Sequence, residues 1–389
     1  MSDVFIISAK RTPIGKFRGQ LSSLSSPILG ATALKAVVEQ GGIPVADVDE
    51  VIMGNVLTAG VRQAPARQAS LAAGLPLSTG ATTINKVCGS AMKAIMIGHD
   101  AIKAGSAGIV AAGGMECMSQ APHLAFIRDG VKSGPLEMQD HMLFDGINNS
   151  DGRALGLFSE ECAVKYGLTR KMMDDYAMES ARRAKAAQAD GTFAGEIVPV
   201  EVNNGHERKT VALDEIPQGI NIAHIPELPP AFKEDGRLTA ATASGFCDGA
   251  AAVLLISEKE LRERKLTPLA RIVAQATHSQ EPEWFADAPI GAIRKVLEKA
   301  EWAINDVDLV EINEALAPVP MSAMKELGLP PDQVNVHGGA LALGHPIGAS
   351  GARIVVTLLN ALKSRGLKRG VAAICIGGGE STALALELS

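Results

Sequence analysis

The chain repeats itself, and that limits the folds open to it. Asp47-Val48-Asp49-Glu50-Val51 is answered by Asp306-Val307-Asp308-Leu309-Val310. Each follows a stretch of helical pattern, ALKAVVEQ at 33–40 and AIRKVLEK at 292–299, and each is followed by Gly-Leu-Pro, at 74–76 and at 328–330. Each copy closes on an apolar run that opens into glycines and a glutamate, GIVAAGGME at 108–116 and GVAAICIGGGE at 370–380. Chance supplies one such match; four in the same order point to a duplicated unit. Within each copy short β-rich runs alternate with amphipathic helical stretches, so the expected class is layered α/β. VFIISA, EVIMGNVL and GIVAAG read as strands, and 91–104 as a buried helix. Residues 1–117 plus 248–268 form the expected first half and 269–389 the second. The segment 118–247 is richer in charge, Gly, Pro, Asn and Asp, with one helical stretch over 159–189. It reads as a loop domain inserted into the first half.

A length of 389 residues suits two or three domains. Aromatics make up only 3% while glycine numbers 40, so the core must close through small side chains and near backbone contacts. The net charge of −6 comes from mixed acidic and basic residues, with no basic stripe interleaved with aromatics. Nucleic acid is therefore not an expected partner, and any anionic ligand must be gripped locally. Five cysteines without C-x-x-C spacing argue against a disulfide framework and a structural zinc site, and fit a reducing compartment. The opening MSDVFIISAKRTP lacks a signal peptide's architecture, no stretch approaches the ~18 apolar residues of a membrane span, and LALELS is not a peroxisomal address. A cytoplasmic protein with no membrane partner is the expectation. Nucleotide motifs fail too: no G-x-G-x-x-G opens a helix after a strand, and Gly15-Lys16-Phe17 lacks the P-loop's hydroxyl.

Two cysteines sit at the ends of apolar runs that give way to glycine: Cys88 in INKVCGSAM and Cys375 in AAICIGGG. A strand that stops at a thiol and yields to glycine frees backbone N–H groups and admits a substrate, the geometry of a nucleophile with an oxyanion pocket. Cys88 precedes a good helix start, whose dipole favours thiolate. The alternative is a small buried cysteine at a strand end. His345 lies in GGALALGHPIGASG, where proline fixes the backbone and glycines allow close approach. Its imidazole could take a proton from Cys88, or be a hydrogen-bonded structural histidine. Asn313, at the end of the run VEI, could hold a water or a carbonyl oxygen, or cap a turn.

Together these segments resemble the thiolase family, most closely its biosynthetic members, over nearly the whole chain. The resemblance rests on SAKRTPIGKF, GNVLTAG, PARQAS, NKVCGSAMKA, GGMECMS, APHLAF, RLTA, DGAAAVLL, INEALA, NVHGGALALGHPIGASGAR and AAICIGGG, in the family's order. It implies a five-layered αβαβα fold and an enzyme that condenses two acetyl-CoA to acetoacetyl-CoA and CoA, reversibly, through an acyl-cysteine. Coenzyme A thioesters would be substrates, with no permanently bound cofactor and no metal. Cys88 would carry the acyl group. His345 would activate it and, with a water held by Asn313, form one oxyanion hole. Cys375 would move the C2 proton, and the N–H groups of Cys88 and Gly377 would form the second oxyanion hole. Leu155, Phe232, Ala243, Ser244, Gly245 and Leu316 would line the acyl and pantetheine channel. HLAFIRDGVKSG resembles the loop that ties biosynthetic members into tetramers, so a homotetramer is expected, with a dimer as the alternative.

The chain departs from the family at several points. Leu155 replaces a methionine in the pocket wall, and Pro217 stands where an arginine near the nucleotide is common. Thr242 and Cys247 replace asparagines, Pro318 and Pro320 suggest a changed helix start, and Glu380-Ser381 replaces Met-Gly. These leave open a 3-ketoacyl-CoA thiolase for longer or branched chains, decided by Leu155, Leu316 and Trp284-Phe285. A non-catalytic acyl-CoA-binding subunit is the further alternative.

Overall fold

A computed structural model describes residues 3–131, 133–203 and 208–389. The first repeat supplies strands β1 (Val4–Arg11), β2 (Glu50–Gly54), β3 (Gly80–Ile84), β4 (Ile109–Cys117) and β5 (Cys247–Ser257). The second supplies β6 (Ala270–Ser279), β7 (Leu309–Ile312), β8 (Arg369–Ile376) and β9 (Glu380–Leu388). They join in the order β7-β8-β9-β6-β1-β5-β4-β2-β3, with Gly15–Lys16 added beside β5 as the tenth strand. The two halves share one pairing pattern, with a single bridge at Val334 standing where the first half has β3. β3 and β4 flank β2 in parallel, while β5 is antiparallel to both β4 and β1. In the second half Val334 and β8 flank β7 in parallel, while β9 is antiparallel to both β8 and β6. The halves meet edge to edge through a short antiparallel pairing of Phe5 with Arg271 and Ile6 with Ala270.

The repeated motifs have a common physical cause. Asp49 accepts from the N–H groups of Gly108 and Ile109 at 2.7 and 2.9 Å, and Asp308 from Lys368 and Arg369 at 2.9 and 2.8 Å. Each aspartate thus pins the start of the strand leading toward the site. The Gly-Leu-Pro repeats stop helices: Gly74 and Gly328 lie at φ +85° and +67°, just past α2 (Pro65–Ala72) and α7 (Pro318–Leu327).

Five layers result. Helix α1 (Ser26–Gly41) packs with α2 on the outer face of the first half, and α6 (Ala288–Ala300) with α7 on the outer face of the second. Between the two halves of the sheet lie α3 (Ser90–Ala104) and α8 (Ser350–Arg365), with α8 against both β5 and β8. Three buried clusters correspond to these interfaces: Ile95, Val355 and Leu358 in the middle, Leu34 and Val51 outside the first half, Val296 and Ile312 outside the second. Small residues bring the layers together. A Cβ on Gly114 would lie 2.0 Å from the Gly348 carbonyl oxygen, so the loop after His345 rests directly on β4.

Two expectations change. EVIMGNVL is not strand throughout, because β2 ends at Gly54 and the amides of Val56 and Leu57 turn to Glu116. The stretch 159–189 is two helices, α4 (Leu155–Lys165) and α5 (Arg170–Ala189), parted where Gly167 takes φ +64° and Thr169 caps α5 by accepting from Met172 N–H. Pro318 and Pro320 both fit a helix start. Helix α7 opens at Pro318, so both rings fall in the first turn, whose N–H groups have no partner within the helix.

Candidate active site

Cys88, His345 and Cys375 line one cavity of about 310 Å³, with Leu155, Phe232, Ala243, Ser244, Gly245 and Leu316 also on its wall. Every channel residue expected from the sequence is there. Met118, Phe285 and Ile347 complete an apolar lining. Trp284 does not line it; its ring lies under Lys165 Nζ at 4.3 Å. The wall is tied down by backbone bonds. Ser244 N–H and Oγ both donate to the Ala315 carbonyl, at 3.0 and 2.9 Å, and His345 N–H donates to the Gly245 carbonyl at 3.2 Å. Phe232 lies so flat on Gly156 that a Cβ there would be 2.2 Å from the ring.

Cys88 sits in the turn between β3 and α3, with only 5% of its surface exposed. Burial pushes its thiol up to about 11, against the pull of the Gly377 and Cys88 N–H groups that face the sulfur. Desolvation therefore outweighs those N–H groups, and the thiol rests protonated at neutral pH. Cys375, 1% exposed, is raised well above its usual range by burial and then by the neighbouring Cys88. Two protonated thiols rest side by side, and all five cysteines are free.

His345 is held in one tautomer. The Ser350 hydroxyl spends its proton on the Pro346 carbonyl at 3.0 Å, so at 2.6 Å from His345 Nδ1 it accepts that nitrogen's proton. Nε2 keeps its lone pair and is buried with no hydrogen-bond partner among the described residues. Burial, helped by the Arg353 charge, lowers the imidazole to about 3, so it rests neutral.

Asn313 follows β7 and is fully buried. Its Oδ1 accepts from Arg353 Nη2 at 3.3 Å, and Nδ2 is buried with no partner among the described residues. Asn313 and Gly377 are not on the cavity wall itself; Gly377 reaches it through the N–H aimed at Cys88.

Two supporting residues escaped the sequence reading. Arg353, 2% exposed, pairs with Glu311 at 2.9 Å and, being a donor only, dictates which way the Asn313 amide faces. Breaking such a buried pair costs about 3–5 kcal/mol. Glu116 accepts from Asn55 Nδ2 and from the N–H groups of Val56, Leu57 and Gly348, joining the two halves beneath the cavity. Burial raises it to about 7 despite those bonds. The usable signal was a charged residue inside an otherwise apolar run, IVAAGGMEC and GARIVV.

The substituted positions are all accommodated. Thr242 Oγ1 accepts from Thr239 N–H at 2.7 Å, Cys247 donates its thiol hydrogen to Gly245 at 3.1 Å, and Pro217 is buried in a one-turn helix. Among the described residues no helix is long and apolar enough to cross a membrane.

Comparison with known proteins gives the family. Residues 4–259 match the thiolase N-terminal domain and residues 266–388 the thiolase C-terminal domain, so the chain belongs to the thiolase family. It is 48% identical to the acetyl-CoA acetyltransferase of Chromobacterium violaceum, covering 99% of both chains. Its fold is similar to the crystal structure of the Bacillus anthracis acetyl-CoA acetyltransferase, with a TM-score of 0.98 and 38% identity over 100% of this chain and 99% of that one. It is also similar to the Acat5 thiolase of Ascaris suum in complex with coenzyme A, with a TM-score of 0.95 and 42% identity over 100% of both chains.

Proposed function

We propose that this thiolase is an acetyl-CoA C-acetyltransferase, joining two acetyl-CoA into acetoacetyl-CoA with release of CoA, and running in reverse as a thiolysis. The observation that carries the reading is the meeting of Cys88, Cys375 and the unpartnered His345 Nε2 on one apolar cavity. Nε2 takes the Cys88 proton as the sulfur attacks the first thioester carbonyl, and Cys375 protonates the departing CoA sulfur. The acetyl group stays on Cys88, its oxygen facing the Cys88 and Gly377 N–H groups. The Cys375 thiolate then removes the C2 proton of the second acetyl-CoA. Protonated His345 and a water on Asn313 hold the enolate oxygen. The enolate attacks acetyl-Cys88, and His345 returns its proton to the Cys88 sulfur. Every proton is accounted for without a metal or bound cofactor.

Incubation with acetyl-CoA followed by peptide mass spectrometry tests this: an acetyl group on Cys88 supports it, and its absence there overturns it. Thiolysis of 3-ketoacyl-CoA esters of increasing length tests the substrate. Strong preference for chains beyond about four carbons would favour the longer-chain thiolase and point to Leu155, Leu316 and Phe285. A thiol at position 88 that neither labels nor acylates would favour a non-catalytic acyl-CoA-binding subunit.

The division into 1–117 plus 248–268, 118–247 and 269–389 is proposed on the matching strand orders. A cytoplasmic homotetramer is proposed on the resemblance, with support from exposed Phe126, Ile127, Val131, Leu136 and Phe144 on and beside the family's tetramer loop. Lys132 of that loop lies outside the described residues. Phe126→Asp is expected to lower the mass seen by light scattering from tetramer to dimer; an unchanged mass would remove this segment from the interface.

A further inference from the structure

The turn carrying Cys88 and the turn carrying Gly377 come from opposite halves of the chain, and a charged contact joins them. Lys86 Nζ lies 2.5 Å from Glu380 Oε2, while Glu380 Oε1 accepts from Ser279 Oγ at 3.0 Å. Both ends of the contact are stiff. Lys86 N–H donates to Ser90 Oγ at 2.8 Å, and the Lys86 carbonyl accepts from Gly89 N–H at 3.0 Å. Val87, between Lys86 and the nucleophile, has φ +46°, a region a β-branched residue keeps only when its surroundings hold it there. Across the contact, Gly378 and Gly379 have φ +94° and +87°, and the Gly379 carbonyl accepts from Gln280 N–H at 2.8 Å. The turns touch: a Cβ on Gly89 would lie 2.4 Å from Ile376 Cδ1.

Glu380 stays ionised. Partial burial works against the charge, but the Lys86 hydrogen bond and charge, with Ser279 and Lys93, hold its carboxyl below the usual range. With side chains 22% and 32% exposed, the pair contributes little stability. Neither residue lines the cavity, so neither touches the acyl chain. What the pair supplies is register, and a displacement of about 1 Å at a reacting centre can cost about a hundredfold in rate.

We propose that Glu380, acting through Lys86, is a positioning residue that holds the Cys88 sulfur opposite the Gly377 N–H while the acyl group is transferred. The proposal rests on Cys88 being the nucleophile. The partner of Glu380, Lys86, stands two residues before Cys88 in the chain.

The test compares the parent with Glu380→Gln, Lys86→Met and the reversed pair Lys86→Glu with Glu380→Lys. Acetylation of Cys88 is followed over time by mass spectrometry, and thiolysis by steady-state kinetics. Glu380→Gln is expected to slow acylation and kcat by about tenfold with KM within about twofold. The reversed pair is expected to recover most of that loss. Raising salt from about 0.05 M to about 1 M is expected to slow the parent but not Glu380→Gln. Parent-like acylation in Glu380→Gln, or a reversed pair no faster than the slower single variant, overturns the proposal. A KM that rises by the same factor as kcat falls does so too, since that marks general loosening. Acetyl on another residue in the parent itself would instead sink the nucleophile assignment, and the proposal with it.

Discussion

The two halves share a frame but join it with connections of opposite length. In the second half β8 passes to β9 through Gly377–Gly379 alone; in the first, residues 118–246 separate β4 from β5. The preceding connection is reversed. Residues 85–89 suffice between β3 and α3, whereas residues 335–349 lie between Val334 and α8. The short connections bear Cys88 and Gly377, whose N–H groups must be aimed closely. The long ones bring His345, Leu155, Phe232 and Ser244 over them. A short turn between hydrogen-bonded strands has little freedom, so its geometry comes with the sheet. A long connection needs anchors, and here it has them in Glu116 to Gly348, Ser244 to Ala315, and Gly245 to His345. Duplication made two equal scaffolds; unequal connections make one site of them.

The largest expected effect separates the two thiols on those short turns. Cys88→Ser should lower turnover at least about 10⁴-fold and leave no acetyl at that position. Cys375→Ser should still be acetylated on Cys88 while condensation falls by about 10²–10⁴-fold. Intact-mass and acetoacetyl-CoA measurements on both variants check this, and loss of acylation in both would erase the division of labour. A second experiment weighs the connections themselves. At Gly379, φ +87°, a Cβ would lie 2.4 Å from the Gln280 carbonyl oxygen, whereas Gly152, φ +84° in the long segment, has nothing within 4 Å. Gly379→Ala should cost about 3 kcal/mol or more, and Gly152→Ala about 1 kcal/mol from backbone strain alone. Denaturant midpoints that fall equally would mean the short turn is no more constrained than the long one.

What could be read in the sequence was what depends on local chemistry. The paired Asp49 and Asp308 and the paired Gly74 and Gly328 were visible because a strand start and a helix stop need particular side chains at particular places. Gly167 and Thr169 carried equally local signals for breaking the 159–189 stretch, outweighed there by its helical periodicity. The cavity residues were legible through motifs rather than through spacing. The ionisation of Cys88 was not legible, since a thiol's pKa depends on how much protein covers it, and the cavity it lines is closed by residues distant in sequence, among them Ile147, Leu155, Phe246 and His345. The partners of Arg353, Glu116 and Ser350 were hidden for a similar reason: a charge inside an apolar run marks Glu116 and Arg353, but what each residue holds is distant or meets it only when the chain folds back.

Burial of Cys88 makes a pH prediction with a definite sign. A thiol raised to about 11 stays protonated at neutral pH, so its thiolate fraction rises about tenfold per pH unit below that value. Iodoacetamide labelling of Cys88 should therefore climb without levelling between about pH 7 and about pH 10. A plateau below about pH 8 would show that the short turn and His345 stabilise thiolate in the empty site more than burial opposes it.

The smallest effect sits at the root of the long connection in the second half. His337 is lowered to about 4 by burial, then by the charge of Arg365, with Arg183 adding and Asp190 opposing. Its Nε2 is buried with no partner among the described residues, and its ring stands edge-on to Phe193 at 6.3 Å. A base with a lowered folded pKa takes its proton first in the unfolded chain. Stability is then intact above the unfolded value of 6.5 and is lost as pH falls toward 4. His337→Gln lacks this loss, whereas Glu116, Glu196 and Glu311, all raised mainly by burial, titrate in both proteins and cancel in the difference. The stability of the parent relative to the variant should shrink from about pH 7 to about pH 5 by at most about 2 kcal/mol, reduced by the ring's partial exposure. A gap that does not change with pH would mean that His337 titrates as a solvated histidine, and that this end of the long connection is looser than its anchors imply.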